Sequence, residues 1–192
     1  MRPIDLAGFE AKFRSNDDPW STFTDRDEAV KRRAILQAMG AGPWGRVLEL
    51  AAGNGSNSVA IAPRALRLDA TEATEAGTAL VARAIRARGP RARALRLVLP
   101  ARLPRSRYDI VLVAELLYYL SPRAMRETAR EIARVLRPGG LLVVAHHRID
   151  FPDFVQHAHG LQRRFAELVR PHATLRQVRR TAHWEVAVAQ VG

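Results

Sequence analysis

Arg46-Val47-Leu48-Glu49-Leu50-Ala51-Ala52-Gly53-Asn54-Gly55-Ser56-Asn57 decides the fold of this chain. It opens as an apolar run of parallel-strand length, closes on a glycine-rich turn, and leads into Ser58-Val59-Ala60-Ile61-Ala62, which can start a helix. Strand, glycine-rich turn and helix start together bring backbone amides close to a nucleotide-like ligand. Glycine at 53 and 55 permits positive φ and lets the chain approach a ligand without a Cβ in the way. A second strand-like run, Ala65-Leu66-Arg67-Leu68, ends at Asp69, twenty residues after Glu49. At that distance an acid commonly hydrogen-bonds the two hydroxyls of a ribose.

Working outward, residues 4–14 read as a short amphipathic helix with Phe9 and Phe13 on one face, and 15–20 as a polar turn that contains Pro19. Trp20 follows, as a lid packed onto the core, a wall of a ligand pocket, or both. Asp25 or Asp27 can cap a helix running to Met39, stopped by Gly40 and Gly42-Pro43. After Asp69 a helix is expected over 72–88 and a third strand over 95–99. Tyr108-Asp109-Ile110-Val111-Leu112-Val113-Ala114 is a near-continuous apolar run of the kind buried on both faces. Ser121 caps and Pro122 opens the next helix, with Met125, Ala129, Ile132 and Leu136 as its buried stripe. Pro138-Gly139-Gly140 delivers a fifth strand over 141–145; a helix over 161–169 and an antiparallel pair over 174–181 and 183–191 complete the chain.

This alternation predicts an α/β fold: a doubly wound, mostly parallel seven-stranded sheet with helices on both faces and a C-terminal antiparallel hairpin. With 192 residues, no internal repeat and no linker, the expectation is one domain over 1–192, with 1–42 as a helical lid. A hydrophobic content of 47% argues for a globular chain rather than a disordered one. Cysteine is absent, which excludes disulfides and thiolate metal sites. His157-x-His159 with Asp150 or Asp153 lacks a diagnostic metal-ligand spacing, so no metal is expected. The N-terminus lacks the apolar core of a signal peptide and no run reaches membrane-spanning length, which predicts a cytoplasmic protein. The net charge of +12 invites a nucleic-acid partner, but 29 of the 31 basic residues are Arg, the mark of codon bias more than of a selected patch. The densest cluster, Arg83, Arg86, Arg88, Arg91, Arg93 and Arg96, has no interleaved aromatics to stack bases.

The loop reads Glu49-x-Ala51-x-Gly53-x-Gly55, the acid-x-small-x-Gly-x-Gly form of methyltransferases that use S-adenosylmethionine (SAM). Over nearly its whole length the chain resembles a class I SAM-dependent methyltransferase, and more narrowly the nodulation protein S family of N-methyltransferases. The matching stretches are Asn16-Asp17-Asp18-Pro19-Trp20, Asp27-Glu28-Ala29-Val30-Lys31-Arg32, Tyr108-Asp109-Ile110-Val111, Ala114-Glu115-Leu116-Leu117-Tyr118-Tyr119-Leu120 and Leu136-Arg137-Pro138-Gly139-Gly140. The resemblance implies that Gly53 and Gly55 approach the cofactor, with Glu49 near its methionine amino group and Asp69 on its ribose. It also implies that Lys31 or Arg32 pairs with the cofactor carboxylate, Trp20 closes over it, and Ala114 and Glu115 flank the sulfonium. Ala51, Asn54, Ala70 and Tyr119 complete the expected cofactor contacts. The third strand leads to no acid for the adenine, where a backbone carbonyl would serve.

SAM is therefore the expected cofactor, S-adenosylhomocysteine (SAH) its product, and an amine or hydroxyl of a small molecule, such as an amino sugar or natural product, the expected acceptor. An amine must be unprotonated to react, so one weak base suffices: Glu115 first, then His146 and His147 beyond the fifth strand. The Asn/Asp-Pro-Pro-Tyr element of nucleic-acid amine methyltransferases is absent, which argues against nucleic acid as acceptor. The alternative is a non-catalytic protein of the same fold that binds nucleic acid or a protein partner through its Arg-rich surface. The sequence leaves the oligomeric state open.

Overall fold

A computed structural model describes residues 3–192; Met1 and Arg2, at the head of the expected domain and lid, lie outside the described residues. The strands are β1 (Trp44–Leu50), β2 (Ala65–Glu72), β3 (Ala92–Arg96), β4 (Tyr108–Ala114), β5 (Leu136–His147), β6 (Arg176–Arg180) and β7 (Trp184–Gln190). They form one sheet in the order β3-β2-β1-β4-β5-β7-β6. The first five run parallel, β7 pairs antiparallel with β5, and β6 antiparallel with β7. This is the doubly wound sheet with a C-terminal hairpin that the sequence predicts.

The helices are α1 (Leu6–Ser15), α2 (Arg26–Ala38), α3 (Ser58–Ile61), α4 (Glu75–Ile85), α5 (Pro122–Val135) and α6 (Leu161–Val169). The caps explain several boundaries. Asp25 accepts the amides of Asp27 and Glu28 to start α2, and Ser121 accepts the Ala124 amide ahead of Pro122 at the start of α5. Two cores lie on opposite faces of the sheet. Val47, on one face of β1, packs with Ile35 of α2 and Val81 and Ile85 of α4; Leu48, its neighbour, packs with Ile132 of α5 and Phe165 of α6. Alternation along a buried parallel strand feeds both layers at once.

Strand β5 starts five residues before the expected 141, so that Leu136, expected in the buried stripe of α5, lies in the strand instead, and three further boundaries differ from expectation near the β3 edge of the sheet. β2 does not end at Asp69 but continues through Ala70 and Thr71 to Glu72. The charge at 69 is absorbed inside the protein: Asp69 is 2% exposed and accepts hydrogen bonds from Arg93 (2.7 Å), Arg105 (2.9 Å) and the Tyr108 hydroxyl (2.9 Å). Helix α4 accordingly starts at Glu75, capped by Thr74, and gives way to a 3-10 turn at Arg86. The third strand occupies Ala92–Arg96 rather than 95–99, while Leu97 and Leu99 fold onto the core against α5. An edge strand keeps one side in water, so the most apolar run beside it was the packing segment and not the strand.

Candidate active site

The loop after β1 is anchored from two sides. Gly53 and Gly55 take positive φ, +61° and +85°. A Cβ on Gly55 would stand 2.9 Å from Ala84 Cβ and 3.2 Å from Val81 Cα, so this glycine serves close packing on α4 rather than approach to a ligand. Gly53 is the one that faces the open side, its nearest neighbour there being Phe13 of α1 at 3.9 Å from an added Cβ. The Gly53 amide donates to Glu72 Oε2 at 3.1 Å, and Glu72 Oε1 accepts from the Thr74 amide (3.1 Å) and hydroxyl (3.0 Å). Gly77 leaves room for this carboxylate, since a Cβ there would meet Glu72 Cγ at 2.7 Å. Burial pushes the Glu72 carboxyl above its ordinary range.

The acid at the end of β2 is therefore Glu72, and Asp69, three residues earlier, is held within the sheet by its arginines and Tyr108. Ala70 moves with it: it pairs with Glu49 in register and is fully buried in the core. The spacing rule pointed to the first acid after the apolar run. Thr74 as a helix cap and Gly77 in the first turn were the signals that would have placed the strand end at Glu72.

Glu49 lies at the end of β1, 1% exposed, with the Ser58 hydroxyl donating to it. Burial pushes its carboxyl up to about 7, against the Ser58 hydrogen bond and the nearby Arg32. Arg32, on α2, donates to the Thr22 carbonyl, while its Nε is buried without a partner. Ala51 takes φ +51° and Glu115 φ +52°, so the two loops facing each other across β1 and β4 both hold a non-glycine residue in the left-handed region.

The turn over residues 16–22 is joined to this loop through Asn54. Its Nδ2 donates to Asp18 Oδ1 (2.8 Å) and to the Asp17 carbonyl (3.2 Å), and its Oδ1 accepts from the Thr22 hydroxyl (3.0 Å). Trp20 packs on Phe9 and Phe13, with ring centroids 5.9 and 5.4 Å away, and Phe9 meets Tyr119 edge-on at 4.9 Å. Asn54 and Tyr119 thus meet the N-terminal segment that carries Trp20, and Glu10 of α1 accepts the Glu75 amide at the start of α4 (2.9 Å).

Beyond β4 and β5 the expected bases come together but differ in availability. Ala114 ends β4, buried beneath the turn. Glu115 accepts from Lys31 at one oxygen (2.8 Å) and from the Tyr118 hydroxyl and the His147 amide (3.4 Å) at the other. Burial works to raise its pKa, but Lys31, His147 and His146 outweigh it and hold the carboxyl down to about 2. His146 is 2% exposed, its Nε2 accepting the amides of Leu116 and Leu117, each at 3.1 Å. Burial brings its pKa down to about 4. That ring fixes the turn that carries Glu115. Lys31, 3% exposed, donates to Glu28 (2.7 Å) and Glu115 and stands 3.1 Å from His147 Nε2, while Arg32 on the same helix keeps a buried Nε donor without a partner. His147, between Lys31 and Glu28, keeps an unpartnered buried Nδ1. Glu28 carried no signal by sequence beyond its place in the matching helix.

The arginine cluster disperses in the fold: Arg83 pairs with Asp17, Arg88 donates to the Ala62 carbonyl, and Arg93 binds Asp69. His157 pairs with Asp150 on the surface (2.8 Å), and among the described residues no three metal-ligating side chains converge. No helix among them is long and apolar enough to cross a membrane.

Comparison with known proteins agrees with this fold. Residues 47–140 match the family described as a methyltransferase domain. The chain has the fold of a class I SAM-dependent methyltransferase. It resembles the N-methyltransferase NodS from Bradyrhizobium japonicum WM9, whose structure with SAH aligns over 97% of both chains with a TM-score of 0.81 and 19% identity. A DhpI–SAH complex aligns over 97% of this chain and 95% of that one, with a TM-score of 0.73 and 16% identity. A structure from Aquifex aeolicus described as a SAM-dependent methyltransferase covers 95% of this chain and 98% of its own, at a TM-score of 0.71 and 15% identity. Among curated proteins none matches in sequence.

Proposed function

We propose that this protein is a SAM-dependent methyltransferase that methylates an amine of a small molecule such as an amino sugar or natural product. The observation that carries the reading is the Glu72 carboxylate at the end of β2, bound to the Gly53 amide in a loop that lies within the methyltransferase-domain match. A carboxylate at a strand end beside a glycine loop suits a ribose.

The side chains around the loop fit the rest of the cofactor. Arg32 Nε, buried and unpartnered, suits a carboxylate, and Glu49, buried and close to half-protonated at neutral pH, suits an ammonium. Gly53, Asn54 and Ala51 form the loop surface, and Trp20 and Tyr119 the lid side; Ala114 and Glu115 lie at the sulfonium end. When bound, SAM supplies a methyl carbon on a cationic sulfur. The protein's part is to hold the acceptor in line, exclude water beneath the lid and receive a proton. NodS is named as an N-methyltransferase and is the neighbour described above with the highest structural similarity, which supports an amine acceptor.

Glu115 serves here as an anionic wall rather than as the base, because both its oxygens are engaged and its carboxyl is a strong acid. The test is transfer of labelled methyl from SAM to a panel of amino sugars and small amines, with the corresponding N-acetyl compounds as controls. Label on the amines alone supports the reading. Label on the N-acetyl compounds at hydroxyl oxygens moves the acceptor to a hydroxyl, and labelled nucleic acid in place of either overturns the small-molecule reading.

A further inference from the structure

Four side chains meet where α2 crosses the ends of β4 and β5, and their charges do not cancel. Glu28 and Glu115 are carboxylates, Lys31 is an ammonium, and a neutral His147 leaves the group one negative charge in excess. Lys31 Nζ stands 2.7 Å from Glu28 Oε1, 2.8 Å from Glu115 Oε1 and 3.1 Å from His147 Nε2, and His147 Nε2 stands 3.2 Å from Glu28 Oε1. The second Glu115 oxygen is 3.8 Å from the same Nε2. Two carboxylates and one ammonium surround Nε2, so the field there favours a proton. With Nε2–H donated to Glu28, the lone pair is on Nδ1, the buried atom that has no partner in the protein.

Resting on the methyl-transfer reading, we propose that Glu28 and His147 form the proton-accepting pair of the site, with Glu28 positioning the ring and His147 Nδ1 taking a proton from the ammonium form of the acceptor. In that step the acceptor N–H bond breaks, its electron pair stays on nitrogen, and the proton binds Nδ1. The freed pair makes the new N–C bond, and the pair of the broken C–S bond stays with sulfur. The imidazolium then cancels the excess charge, with Lys31 set against Glu115 and His147 against Glu28.

The other groups facing the ring fit this assignment. Tyr118 donates to Glu115, and burial keeps its phenol protonated. His146 is neutral and occupied by the turn amides. Phe151, edge-on at 5.5 Å, and Trp184, opposite on β7, bring no charge. Burial of the His147 ring is the strongest single influence and lowers its pKa, but Glu28 and Glu115 together raise it above the ordinary imidazole value.

Nitrogen-15 NMR of the imidazoles reads the pair without any turnover. Above its pKa, His147 of the wild-type protein is expected as the Nε2–H tautomer. Glu28→Gln is expected to lower the His147 pKa by about 1 pH unit or more, with partial recovery in Glu28→Asp. The acidic limb of the rate profile should follow those shifts. An Nδ1–H tautomer, with Nε2 accepting from Lys31, overturns the pair, as does an unchanged His147 pKa in Glu28→Gln. If Glu28→Gln does not fold, the wild-type tautomer decides. A wild-type protein that fails to bind SAM overturns the methyl-transfer reading; one that binds SAM but carries the Nδ1–H tautomer overturns the pair alone.

Discussion

Glu72 Oε2 accepts the backbone N–H of Gly53 at 3.1 Å, tying the end of β2 to the loop after β1. The carboxylate that suits a ribose is thereby also the anchor of the glycine loop beside it.

Glu72→Gln keeps the shape but removes the charge. A hydrogen bond to a charged group contributes about 1.5–3 kcal/mol, so the affinity for SAM and SAH should fall roughly 10–100-fold. Asp69→Asn should act differently, lowering stability by about 1–3 kcal/mol while leaving affinity unchanged. The lower part of that range is favoured because Arg93 and Arg105 are 44% and 39% exposed and can rehydrate. Calorimetric titration and thermal melts on both variants separate the two; equal losses of affinity would place Asp69 in the ligand site.

Glu49 couples ligand binding to pH. Its folded pKa of about 7 lies above the ordinary glutamate value of 4.5, so its ionisation adds no cost below about pH 4.5. Its destabilising contribution grows as pH rises to about 7, reaching on the order of 3 kcal/mol, and is constant above. An ammonium placed beside it favours the ionised form, so SAM binding should release a proton at pH 6 and tighten as pH rises toward 7. Titrations in buffers of different ionisation enthalpy measure that proton. A binding affinity flat across this interval and flat melting curves in Glu49→Gln and wild type alike would contradict the assignment.

Gly55→Ala should destabilise the fold by about 1–3 kcal/mol, because its φ of +85° and its 2.9 Å approach to Ala84 both resist a Cβ. Chemical denaturation measures it. A neutral substitution would mean that α4 yields and that the glycine serves some other need.

Asp18 gathers the polar contacts of the N-terminal turn. Asp18 accepts from the Thr22 amide, the Phe23 amide and Asn54 Nδ2. Asp18→Ala should raise hydrogen exchange in residues 6–22 by about 10-fold or more, with β1 and β4 as protected as before. Exchange rising equally in those strands would mean that Asp18 supports the whole domain.

The buried centre of the fold was legible because its signals are local. The run 108–114 fixed β4, Ser121-Pro122 fixed the start of α5, and Gly53 fixed the loop. Charges neutralised from afar leave no such local signal. Asp69 looks like a strand end until Arg93, Arg105 and Tyr108 are brought to it by β3 and β4. Glu115 looks like a free base until Lys31, 84 residues away, arrives on α2. The same packing hides Glu28, whose position beside His147 depends on two elements 119 residues apart. Spacing along a chain reports neighbours on one helix or strand, and these pairs are made between elements.

Binding of SAM at this site is measured by calorimetric titration of the wild-type protein and of Glu72→Gln with SAM and SAH. Micromolar binding of both ligands to the wild type and a marked loss in the variant are expected. Absence of binding to the wild type at millimolar ligand would contradict that expectation.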